Sequence, residues 1–99
     1  MNISSIQIDY SRPGDEKKKY SGQVYLEKPF QTETGEWACN IFILIDEKKY
    51  EIFGEDSLQA LTLSLNFLKQ RLEDFKTKGF KLYFENSEEE FCTRSYFGN

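Results

Sequence analysis

Apolar side chains recur along this chain with two periods, and the change of period divides it into strands and one helix. Ile6, Ile8 and Tyr10 alternate with Gln7 and Asp9, the spacing of a strand with one buried face. Residues Tyr20 to Lys28 repeat the pattern, with Gly22, Val24 and Leu26 on one face and Gln23, Tyr25 and Glu27 on the other, until Pro29 ends the run. Trp37 to Ile45 is apolar on both faces, which suits a strand in the middle of a sheet with something packed on each side, or a dimer seam. Tyr50 to Phe53 turns Tyr50 and Ile52 inward, and Phe80, Leu82 and Phe84 alternate with Lys81 and Tyr83. Between these runs, S-R-P-G-D-E-K-K-K reads as a hairpin loop with a solvated charge run, K-P-F-Q-T-E-T-G-E as a surface loop, and D-E-K-K as a turn. After Phe84 an acidic loop, E-N-S-E-E-E, leads to Phe91–Phe97, which is apolar and β-prone enough for a short last strand.

From Gly54 to Gly79 the period lengthens. Leu58, Leu61, Leu65, Leu68, Leu72 and Phe75 step by three and four residues, which aligns them on one side of a helix. Burying such a stripe is worth on the order of 10 kcal/mol before entropy is set against it. Asp56 stands at the N-cap with Gln59 three residues on, a capping-box spacing, and Gly54 lets the chain turn out of the preceding strand. Lys76 and Lys78 suit the negative end of the dipole, and Gly79 suits the left-handed closing position. Ala60, Leu63 and Phe67 form a second apolar line. Either the C-terminal segment or a curled sheet edge covers that line, or it stays half exposed as part of a partner or dimer surface.

The order is four strands, a helix, then one or two strands. Short polar connections imply an antiparallel β-meander with the long helix packed on the sheet, a single α+β domain of residues 1–99.

Composition narrows the function. The chain has 99 residues, 38% of them hydrophobic, with nine Phe, six Tyr and one Trp, so aromatic rings carry much of the packing in one globular domain. A net charge of −4 argues against nucleic acid or an anionic membrane as partner and suits a basic protein. Cys39 lies in an apolar strand, where a buried free thiol is the default, and Cys39 and Cys92 form no metal signature without a histidine in the chain. The segment M-N-I-S-S-I-Q-I-D-Y lacks the basic start and apolar run of a signal peptide, and the longest apolar run, Ile41 to Ile45, is far too short for a bilayer. A cytoplasmic protein with reduced thiols, no metal and no cofactor is the expectation.

Without histidine there is no Ser-His or Cys-His pair and no imidazole base, and the glycines are scattered singly, so no phosphate loop exists. Asp46 with Glu47, Glu55 with Asp56, and Glu88–Glu90 fall in predicted turns or caps, where acidic residues have structural reasons to be. Asp56 is explained as a cap, and Trp37 as a core aromatic or strand-end anchor. An enzyme is not expected. One surface stands out. Glu85, Glu88, Glu89 and Glu90, followed by Phe91, Tyr96 and Phe97, make an acidic-aromatic patch of the composition that engages a basic partner.

At W-A-C (Trp37 to Cys39) and G-E-D-S-L-Q-A-L (Gly54 to Leu61) the chain resembles small bacterial domains of unknown function, which have a W-x-C strand and then G-x-D-S-x-Q-A-L opening a leucine-rich helix. Trp37, Cys39, Gly54, Asp56, Ser57, Gln59, Ala60 and Leu61 match position by position, and the layout agrees over roughly residues 5 to 85. That resemblance implies a fold and no activity. In general type the chain is also similar to immunity proteins, which are commonly acidic, lack catalytic residues and neutralise bacterial toxins by occlusion. The expectation is therefore a protein-binding module that covers the basic cleft of a toxin with its acidic-aromatic surface. The rivals are a structural or regulatory homodimer, built on the two-faced third strand or the Leu63 and Phe67 line, and a small-molecule sensor with an aromatic pocket between helix and sheet.

Overall fold

The computed structural model describes residues 2–98; Met1 and Asn99, the ends of the single-domain reading, lie outside the described residues. Its elements are β1 (Asn2–Arg12), β2 (Asp15–Glu27), β3 (Phe30–Gln31), β4 (Trp37–Ile43), β5 (Lys48–Gly54), α1 (Ser57–Thr77), β6 (Lys81–Phe84) and α2 (Thr93–Phe97). All strand pairs are antiparallel, in one six-stranded sheet. β5 takes the whole of one side of β4, so β2 and the short β3 share the other side. Beyond β2 comes β1, and β6 closes the far edge. The chain is thus an α+β domain: four long strands in a meander, one long helix laid on the sheet, then a further strand. α1 carries the chain from the β5 edge to the β6 edge.

The β1–β2 hairpin is longer than the alternation indicated. Pairing continues to Arg12 opposite Asp15, so only Pro13 and Gly14 turn, with Gly14 at φ 81°. Between Tyr10 opposite Tyr20 and Arg12 opposite Asp15, only Ser11 faces the four residues Glu16–Lys19, so the charge run Lys17–Lys19 is a bulged stretch of β2 and not a loop. The Arg12 guanidinium sits 4.4 Å from the Tyr20 ring centre and covers its exposed end.

Both helix caps are as the local chemistry demands. The Gln59 N–H donates to Asp56 Oδ1 at 2.7 Å, and the Gln59 side chain accepts from the Glu55 N–H at 2.7 Å, one residue earlier than a standard capping box. At the other end Gly79 takes φ 101°, its N–H donates to Lys76 O, and the Phe80 N–H donates to Phe75 O. These two bonds make a Schellman motif, and the Phe75 and Phe80 rings, 5.3 Å apart, supply its apolar contact.

The buried face of α1 differs from the leucine stripe. Ala60, Ser64, Leu68, Leu72 and Phe75 are buried, whereas Leu58 is 72% exposed and Leu65 41%. Of the six stripe residues only Leu68, Leu72 and Phe75 are in the core, which lowers their burial to roughly 5 kcal/mol. Close approach decides this. A Cβ on Gly54 would stand 2.5 Å from the Ala60 backbone nitrogen, so the first turn of α1 lies directly on the end of β5 and only small side chains fit beneath it. Gly54 is therefore required by crowding against α1, since its φ is not in the left-handed region. The second apolar line divides: Phe67 is covered by the Tyr50 ring of β5 at 4.9 Å, and Leu63 is 42% exposed.

Phe91–Phe97 is not a strand. The Phe91 N–H donates to Leu82 O at 2.7 Å and Glu90 bridges Tyr83, after which the chain coils into α2. Helical spacing brings the Tyr96 ring back to 4.9 Å from Phe91, a contact that an extended chain would not make.

Candidate protein-binding surface

The acidic loop begins where β6 ends. Phe84 pairs with Ile8, the chain then leaves the sheet through Asn86 at φ 55°, and the Phe84 N–H donates to Glu89 O to close the loop. The Asn86 N–H donates to Asp9 Oδ2 at 2.9 Å, which pins the loop to β1. Glu85, Glu88, Glu89 and Glu90 are all exposed. Glu88 is engaged by Lys19 Nζ at 2.7 Å, an exposed pair worth at most about 1 kcal/mol. Glu85, Glu89 and Glu90 have no ion pair among the described residues.

The aromatic half of the patch separates. Phe91 is fully buried, with its ring 5.1 Å from Phe84, so it belongs to the core and cannot touch a partner. Tyr96 is 49% exposed and Phe97 is half-buried, and the two rings meet edge-to-face at 5.1 Å. Both stand on α2, which Lys69 fastens to α1 by donating from Nζ to Gly98 O. Of the seven residues expected at the surface, Phe91 alone is withdrawn, because its N–H bond to Leu82 turns the ring under the sheet edge.

Tyr96 and Phe97 form one wall of a groove between α1 and the sheet, the place at which the small-molecule sensor reading expected an aromatic pocket without naming its residues. Its floor and opposite sides come from Ile3, Ile6, Leu61 and Leu65, with no charged residue in the lining. This is where the leucine stripe goes: turned off the core, Leu61 and Leu65 look over β1. The signal was present in the width of the apolar arc of α1, which exceeds what one sheet covers.

Two other polar features have structural roles. Asp46, in the turn between β4 and β5, accepts from the Tyr50 hydroxyl and stands 3.6 Å from Arg71 Nη2, tying that hairpin to α1. Cys92 is exposed, its thiol pKa lowered from the ordinary value by hydrogen bonds from Ser95, while Cys39 is buried and directs its thiol to Glu27 O. Among the described residues no three metal-ligating side chains gather, and no helix is long and apolar enough to cross a membrane.

A family model described as a domain of unknown function (DUF6968) matches residues 13–93, including the acidic loop and Phe91. No curated protein and no solved structure matches the chain.

Proposed function

Since the chain belongs to the DUF6968 family, a domain of unknown function, we infer that it acts without catalysis, as a cytoplasmic protein-binding module of immunity type that neutralises a toxin by covering it. The observation that carries this is the junction at Phe84. There the chain leaves the sheet at Glu85 and returns to its edge at Glu89 and Glu90, all three side chains exposed and without an ion pair among the described residues, and the Phe84 ring lies 6.4 Å from the half-exposed Tyr96. Acidic rim and aromatic wall are thus one continuous surface, the arrangement that steers and then seats a basic partner. The net charge of −4 favours the same partner, and a chain without histidine has no imidazole for acid–base work.

The test is co-purification of the tagged protein with the products of adjacent genes at low and at high salt. A stoichiometric basic partner should be retained at low salt and lost as salt rises. Reversing Glu88, Glu89 and Glu90 to Lys should weaken that complex and flatten its salt dependence. Unchanged affinity would remove the acidic loop from the interface.

A homodimer remains the second reading, and one observation favours it. On the sheet face opposite α1, Phe30 and Phe53, 39% and 45% exposed, flank the buried Ala38 in register, which puts two partly open aromatic rings in one apolar row. A strictly monomeric mass by light scattering across concentrations excludes this reading.

A further inference from the structure

β1 has two sides with different fates. Toward β2 it is paired from Asn2 to Arg12, but toward β6 only from Ile8 to Ser11. Asn2–Gln7 therefore shows a bare backbone edge, and no other described segment pairs with it. Along such an edge every second residue directs its N–H and C=O outward. Folded proteins commonly blunt an edge of this kind with charge, proline or a covering element. N-I-S-S-I-Q carries neither charge nor proline, and Ile3 on it is 45% exposed.

The bare edge borders the uncharged groove, about 280 Å³ in volume, between Ile3 and Ile6 on one side and Leu61, Leu65, Tyr96 and Phe97 on the other. The acidic loop stands at the Ile8 end of the same edge, because β6 stops at Phe84 opposite Ile8. Hydrogen-bonding edge, apolar groove and charge lie in one line.

We propose that Asn2–Gln7 accepts an extended segment of a protein partner as an added antiparallel strand, with alternate apolar side chains in the groove and lysine or arginine at the segment's N-terminal end. The direction follows from the geometry. β1 runs from Asn2 toward the acidic loop, so an antiparallel strand has its N-terminus there, next to Glu85 at the end of β6, with Glu89 and Glu90 one strand further out and within reach of a long basic side chain. Added strands draw affinity from main-chain bonds and selectivity from alternate side chains. A second copy of this chain fits worse: it brings another net charge of −4, and its own Asn2–Gln7 holds no basic residue to answer the glutamates. The proposal rests on the binding-module reading and specifies the chemistry of its partner.

The probe is a blocked synthetic hexapeptide of alternating valine and threonine with two lysines added at its N-terminus, titrated into the intact ¹⁵N-labelled protein at low salt. Amide shifts should concentrate on Ile3–Gln7. N-methylating the peptide positions whose N–H faces β1 should weaken binding by about tenfold or more, the cost of two lost hydrogen bonds, while methylating those that face away should not. Moving the lysines to the C-terminus should weaken it by about threefold at low salt and not at high salt. Leu65→Gln, a change at a half-exposed wall position that spares the core, should weaken it as well. Absence of shifts on Asn2–Gln7 at millimolar peptide, or equal binding of the N-methylated peptide, overturns the proposal. Protection of the same amides by raising the protein concentration alone also overturns it and gives the edge to a second copy. The two inferences fail separately. A natural partner lost on reversing Glu88–Glu90 but leaving the β1 amides untouched upholds the acidic surface and refutes strand addition. A partner that protects those amides and ignores the reversals upholds strand addition, removes the acidic surface from the interface and refutes a basic end on the added segment.

Discussion

Tyr50 is the residue on which the β4–β5 hairpin and α1 converge. Its hydroxyl donates to Asp46, its ring packs on Phe67, and the Arg71 guanidinium lies 5.6 Å from the ring centre. Burial, followed by the hydrogen bond to and charge of Asp46, raises its pKa above the ordinary 10.0. A folded-state pKa above the unfolded one means that the native state holds the proton more tightly. The associated stability is complete below the unfolded value and is lost as pH climbs through the folded one. Urea midpoints followed from neutral to strongly alkaline pH should therefore fall above about 10, and Tyr50→Phe should show a shallower fall over that window. An identical alkaline profile in the two proteins would mean that the hydroxyl is not held as described. Asp46 is legible in the sequence as a turn residue. Its tie to Arg71, 25 positions away, is not, because no local rule links a turn to a distant helix face.

At the scale of elements, α1 separates what spacing can and cannot tell. Its caps depend on bonds within a few residues, so Asp56, Gln59 and Gly79 announce both ends. Its docked face depends on the sheet. Leucines at 58, 61, 63, 65, 68 and 72 populate an arc so wide that several rotations of the helix satisfy it, and the crowding of Gly54 against Ala60 selects one. Leu68→Ala should then cost about 2–5 kcal/mol, whereas Leu58→Ala should stay within about 0.5 kcal/mol of the parent. Chemical denaturation of the two variants measures both, and similar losses would restore Leu58 to the core. α2 shows the same limit in reverse. The run Phe91–Phe97 has strand-like composition, yet Phe91 and Thr93 are anchored in the core while Tyr96 and Phe97 fold back to wall the groove.

For the whole molecule, the tail divides into a part that holds the fold and a part that faces outward. Phe91→Ala removes a fully buried ring and should cost about 3–5 kcal/mol, a large share of the roughly 5–15 kcal/mol that a domain commands. Tyr96→Ala should cost less than about 1.5 kcal/mol, while still weakening binding of the lysine-bearing peptide. Urea midpoints and peptide titrations on the same two proteins separate the roles; a Tyr96 variant that binds as well as the parent would take that ring out of the site. Short-range patterns determined the fold class of this protein: strand and helix periods and cap and turn chemistry are properties of residues near one another in the chain. Only the tertiary structure decided which leucines are buried, which glutamates remain unpaired, and that a bare edge of β1 lies between an apolar groove and an acidic loop. Those facts depend on where strands end relative to one another across the sheet, and no local period encodes that distance.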